Sequence, residues 1–148
     1  MYYRKANMND INQLVHLRKK QLVDEGIEPN QDIDNELNSF FHNKMSDGSL
    51  IEWIVEDNEE IIATGAIIFY DFPPSFTSKS GKMGYITNMY TKENYRGQRI
   101  ATTLLTKLVD EARIAGVSKI WLGASTLGRP VYKKFGFIEA DYWMELNL

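Results

Sequence analysis

The apolar positions of the chain fall into helical and strand-like runs separated by polar punctuation. Tyr2 to Ala6 reads as a short first strand. Asn7 offers an N-cap side chain, and Asp10 three residues later places negative charge at the positive end of a helix. Ile11, Leu14, Val15 and Leu22 recur at helical spacing, which predicts a first helix up to about Glu25. Gly26 and Pro29 break it. Ile33, Leu37, Phe40, Phe41 and Met45 form the stripe of a second helix that stops at Gly48.

The pattern then changes to strands. Leu50 to Glu56 and Ile61 to Tyr70 flank the polar turn Asp57-Asn58-Glu59-Glu60 and predict an antiparallel hairpin. Asp71 to Lys82, with Pro73, Pro74, Gly81 and three serines, is a loop long enough to be functional. Gly84 to Thr91 is the central strand. From about Gly97 to Ala115, Ile100, Leu104 and Leu108 lie beside Ala101, Leu105, Val109 and Ala112, a wide apolar stripe for packing on a sheet. Lys119 to Gly123 returns as a strand, so strand–helix–strand here predicts a parallel crossover. A short helix from about Arg129 to Phe135 ends at Gly136, and Phe137 to Glu139 with Tyr142 to Leu146 predict a closing hairpin. The predicted order is β-α-α-β-β-β-α-β-α-β-β, a single α/β domain with a mixed sheet flanked by helices.

Composition narrows the function. At 148 residues the chain suits one core, and 43% hydrophobic with 25% charged residues is ordinary for a soluble domain. A net charge of −3 argues against bulk nucleic-acid binding. No cysteine is present, so thiolate metal sites and cysteine nucleophiles are excluded. His16 and His42 are isolated and lack metal-ligand spacing, so no metal is expected. Met1 to Lys5 is followed by no apolar signal region, and no run approaches the roughly 20 apolar residues of a membrane span. A cytoplasmic protein with no membrane contact is expected.

Two segments carry candidate chemistry. From Asn88 to Ala101, a strand leads through a polar turn into an amphipathic helix. Free N–H groups at a helix start form an anion site, and Arg96 and Arg99 add positive charge. The second segment runs from Gly128 to Phe137. No Walker pattern is present and no Gly-x-Gly-x-x-Gly follows a strand, so an NTPase or a dinucleotide oxidoreductase is not expected.

The order of elements and both segments resemble the GNAT family, the Gcn5-related N-acetyltransferases. The family's cofactor loop, Gln/Arg-x-x-Gly-x-Gly/Ala, reads here Arg96-Gly97-Gln98-Arg99-Ile100-Ala101, with Arg99 in place of the central glycine. The resemblance implies that N–H groups of this loop hold the pyrophosphate of acetyl-coenzyme A, with Arg99 in an ordinary helical backbone. It also implies that the backbone of Met89, Tyr90 and Thr91 pairs with the pantetheine arm. Tyr132, followed by Gly136-Phe137, matches the family tyrosine beside the thioester sulfur and is the implied general acid. Ser125 stands where many members have asparagine and is the implied partner of the pantetheine arm through its hydroxyl.

The implied reaction is acetyl transfer to an amine by direct attack in a ternary complex. The central strand holds no carboxylate, so Glu25 and Glu28 are the next candidates for a base. The acidic residues from Asp24 to Glu36 suit a small cationic amine acceptor, or else a solvated helix connection. Tyr70, Phe72, Phe76, Tyr85 and Trp143 are candidates to line an acceptor cleft. Two alternatives stay open: a protein N-terminus or lysine as acceptor, and a non-catalytic acetyl-coenzyme A sensor. A homodimer is compatible with the resemblance, and no residue identifies its interface.

Overall fold

The first helix begins where Asn7 and Asp10 make it begin. The Asn7 side chain accepts from the Asn9 N–H at 2.9 Å, and Asp10 accepts from the Asn7 N–H at 2.8 Å. This capping box closes a 3-10 turn, Met8–Asp10, that runs straight into α1, Ile11–Asp24. Asp10 is buried, and its carboxylate receives both terminal nitrogens of Arg4 at 2.8 and 2.9 Å. Arg4 also binds Glu56 through Nε at 2.9 Å, so one guanidinium ties the first strand, the helix start and the second strand together.

The computed structural model describes all 148 residues. The remaining elements are β1 (Tyr2–Lys5), α2 (Asp34–Ser46), β2 (Leu50–Asp57), β3 (Glu60–Asp71), β4 (Lys82–Thr91), α3 (Ile100–Ile114), β5 (Lys119–Leu122) and α4 (Arg129–Phe135). The strands form one sheet in the order β1-β2-β3-β4-β5. All neighbours are antiparallel except β4 and β5, which pair in parallel through the α3 crossover.

The sheet is covered on both faces. Leu14, Leu17 and Phe41 from α1 and α2 pack with Leu50, Ile54, Ala66 and Tyr90 on one side. On the other, the α3 stripe of Ile100, Leu104, Leu105, Leu108 and Ala112 is buried against Val55, Ile62, Ile67 and Ile86. Each fully buried leucine contributes roughly 2 kcal/mol.

Two expectations are corrected. The stretches Phe137 to Glu139 and Tyr142 to Leu146 form no strands. Side-chain contacts hold this tail instead of a ladder. Phe137 packs edge-on against Tyr132, Glu139 binds Arg129 at 2.6 Å, and Trp143 stacks on Trp121 at 4.0 Å between ring centroids. The sheet therefore has five strands. The second correction is that α3 starts at Ile100, not near Gly97, because Gly97 and Arg99 both have left-handed backbones that interrupt a helix.

The Arg4 guanidinium beside Asp10 holds its carboxyl below the usual carboxylate range. The stabilisation is therefore present above pH 4 and lost as the pH falls through the lowered native value. Asp10→Ala is expected to cost about 2–3 kcal/mol in urea unfolding at pH 7, with the difference from wild type shrinking at acid pH.

Candidate active site

The site is organised by a kink in β4. Thr64 pairs with Tyr90 and Ala66 with Thr87, so the single residue Gly65 on β3 faces both Asn88 and Met89. This is a β-bulge. Asn88 takes a left-handed φ of 54°, uncommon for a residue with a side chain. Gly65 lets the Met89 side chain lie close over the bulge, since a Cβ there would sit 2.6 Å from the Met89 sulfur. Two buried groups pin the kink: the Thr64 hydroxyl donates to the Asn88 carbonyl at 2.7 Å, and the Asn88 side-chain amide donates to Glu52 at 3.2 Å. Pairing between β4 and β5 stops at Ile86 and Leu122. Beyond it the β4 edge from Thr87 to Thr91, including Met89, Tyr90 and Thr91, has no strand beside it on that side.

The turn after β4 leads to the start of α3. Gly97 has φ of 80° and Arg99 φ of 62°. Arg99 is thus left-handed, not in the ordinary helical backbone expected of it. The chain must reverse its curvature here to enter α3, and the left-handed conformation costs an L-residue roughly 1–2 kcal/mol. None of the N–H groups from Gly97 to Thr102 donates to a backbone carbonyl; Thr103 is the first to do so, to Arg99 at 3.1 Å. Gly97, Gln98 and Arg99 are exposed, and a Cβ on Gly97 would meet nothing within 4 Å. Six unpartnered N–H groups, with Ile100 and Ala101 in the first helical turn, fit an extended polyanion such as a pyrophosphate. The side chain of Arg96 faces elsewhere. It donates to the Thr91 carbonyl at 2.9 Å, approaches Asp24 at 3.6 Å and lies over the Tyr90 ring.

Tyr132 on α4 is half-buried, and its ring packs against Phe137. Burial pushes its hydroxyl up to about 12, with the charge of Glu25 and the nearby Tyr85 adding to the shift. The phenol therefore keeps its proton throughout the neutral range. Ser125 uses its hydroxyl oxygen to accept the Gly128 N–H at 3.1 Å, which orders the entry to α4. Glu25, at the end of α1, accepts from Gln21 at 3.1 Å, and Gln21 in turn accepts from Arg18 at 3.4 Å. Glu28 has no such link to the site among these contacts. Asp24 is occupied by Lys20, Tyr90 and Arg96.

The expected aromatic cleft is gathered in part. Tyr70 packs on Phe72, and Tyr70 and Tyr85 both pack on Trp121, with Trp143 stacked beyond. Phe76 stands fully exposed at the tip of the β3–β4 loop and takes no part. Trp121, the centre of the cluster, reads in the sequence as an ordinary strand residue. The Tyr70 hydroxyl and Trp121 indole N–H are buried without a hydrogen-bond partner.

Glu52 carries no signal in the sequence, since a charged residue in an alternating strand normally faces solvent. It is 2% exposed, and burial pushes its carboxyl up to about 8 despite the opposing Asn88 hydrogen bond and Arg18 charge.

A family model described as the acetyltransferase (GNAT) family matches residues 11–137. Among solved structures, a predicted acetyltransferase from Clostridium acetobutylicum with acetyl-CoA is 59% identical, with a TM-score of 0.97 over 99% of this chain and 95% of that one. A GCN5-related N-acetyltransferase from Ralstonia eutropha is 19% identical, with a TM-score of 0.87 over 99% and 97%. A glucosamine-6-phosphate N-acetyltransferase from Arabidopsis thaliana is 21% identical, with a TM-score of 0.75 over 99% and 97%. The last two likenesses are of fold. No curated protein matches the chain.

Glu52 gives a stability prediction with a defined sign. In the unfolded chain it ionises near 4.5, whereas in the fold it holds its proton to about 8. The folded state binds more protons between these values, so this group's contribution to stability falls as pH rises from about 5 to 8. Glu52→Gln is expected to raise unfolding free energy by about 2–4 kcal/mol at pH 8 and by under about 1 kcal/mol at pH 5. Urea titrations at the two pH values check this.

Proposed function

The chain belongs to the GNAT acetyltransferase family, and from that premise we propose that it moves an acetyl group from acetyl-coenzyme A to the primary amine of a small cationic acceptor by direct attack in a ternary complex. The observation that carries the cofactor assignment is the run of six unpartnered N–H groups from Gly97 to Thr102 beside the open edge of β4. The loop N–H groups bind the pyrophosphate. The β4 backbone at Met89, Tyr90 and Thr91 receives the pantetheine arm as an added strand. Acetyl-coenzyme A supplies the activated acetyl thioester. Ser125 keeps its hydroxyl proton free to donate while its oxygen caps Gly128.

Tyr132 holds a proton at its hydroxyl beside the leaving sulfur. Its raised pKa, about 12, makes it a hydrogen-bond donor that stabilises a thiolate rather than a group that is itself easily deprotonated. Glu25 is the carboxylate suited to take the amine proton. Its charge acts on the Tyr132 hydroxyl, and Gln21 fixes its orientation. The same negative charge near Tyr132 favours a cationic amine over a neutral one.

Purified protein titrated with acetyl-coenzyme A, then offered a panel of small amines with thiol release as readout, tests this function. Turnover on cationic small amines is the expected result; cofactor binding without turnover on any small amine or peptide would identify a sensor. Tyr132→Phe and Glu25→Gln are each expected to lower kcat roughly 100-fold with cofactor affinity nearly unchanged. Gly97→Pro, which removes one N–H and cannot adopt φ of 80°, is expected to weaken acetyl-coenzyme A binding at least about tenfold in the folded protein.

A further inference from the structure

Glu52 is a buried carboxyl on a central strand that the proposed chemistry does not use. Its Oε2 accepts the Asn88 side-chain amide at 3.2 Å, and Arg18 on α1 is the charged group whose field reaches it. Asn88 is itself 6% exposed. An isolated buried acid is costly, and an apolar residue on β2 would pack on α1 at less expense. What the acid does here is engage the one side chain of β4 whose backbone is left-handed. The kink at Asn88 precedes Met89, Tyr90 and Thr91, and β4 loses its β5 neighbour immediately before it. Thr64 holds the Asn88 carbonyl from β3, and Glu52 holds the Asn88 side chain from β2.

We propose that Glu52 is a positioning residue for the acetyl thioester: by accepting the Asn88 amide it locks the β4 bulge in the conformation that keeps the strand edge open. This rests on the reading of β4 as the pantetheine-binding edge. The carboxyl acts through Asn88 and touches no ligand. Its hydrogen-bond acceptor is what matters, so a neutral amide at position 52 suffices and an isosteric apolar side chain does not.

The test compares wild type, Glu52→Gln and Glu52→Leu. The first readout needs no ligand: the HN–Hα coupling of Asn88 in the free protein reports its φ. Wild type and Glu52→Gln are expected to share the left-handed value, and Glu52→Leu to move toward the extended value. The second readout is binding. Acetyl-coenzyme A affinity is expected to fall at least tenfold in Glu52→Leu and to stay within about twofold in Glu52→Gln. Adenosine 3′,5′-bisphosphate, which lacks the pantetheine arm, is expected to bind all three alike. An unchanged Asn88 coupling in a folded Glu52→Leu protein overturns the proposal, as does a Glu52→Gln variant that behaves like Glu52→Leu. A wild-type protein that fails to bind acetyl-coenzyme A overturns the functional reading, and the Asn88 coupling still decides the role of Glu52.

Discussion

The left-handed turn of Asn88 is the constraint on which the site depends. A regular β4 would continue its ladder with a neighbour or present a straight edge. With two residues opposing Gly65, the strand twists more strongly and separates from β5 after Ile86. That separation exposes backbone groups in the middle of a sheet, where they are normally consumed by pairing. The cost is a strained φ at a residue with a side chain, and the hydrogen bonds from Thr64 and to Glu52 offset it.

The kink also decides what lies downstream. β4 delivers the chain to the Gly97–Arg99 turn, whose two left-handed residues leave six N–H groups without backbone partners. Arg96 braces the exit of β4 by binding the Thr91 carbonyl and meeting Asp24 at the end of α1. Its charge is therefore part of the joint between β4 and α1. An anion drawn to this turn would meet backbone dipoles, which tolerate a change of side chain at position 99 as long as the backbone can turn left-handed.

A single helix links the two sides of the site. From α1, Arg18 faces the buried Glu52 beneath the kink, while Gln21 and Glu25 follow at intervals of three and four residues toward Tyr132. α1 is in turn set in place by its own start, where Arg4, Asp10 and Glu56 join β1, the helix and β2. The Arg4–Asp10–Glu56 joint thus sets how α1, and with it Gln21 and Glu25, lies against the sheet.

Local pattern determined much of this protein. The Asn7–Asp10 capping signal, the α3 stripe, the β2–β3 hairpin and the parallel crossover are all short-range statements, and the resemblance of the Arg96–Ala101 and Tyr132–Phe137 segments to one family rests on contiguous residues. Only the tertiary structure decided the rest. The left-handed backbone of Arg99, the pairing of Arg96 with Asp24, the burial of Glu52 and the central place of Trp121 depend on residues from 22 to 72 positions away or on how the loop must turn. The tail after Gly136 shows why such features are not local. Its alternation is that of a strand, yet a ladder needs a neighbour, and stacking on Trp121 and ion pairing with Arg129 hold it instead.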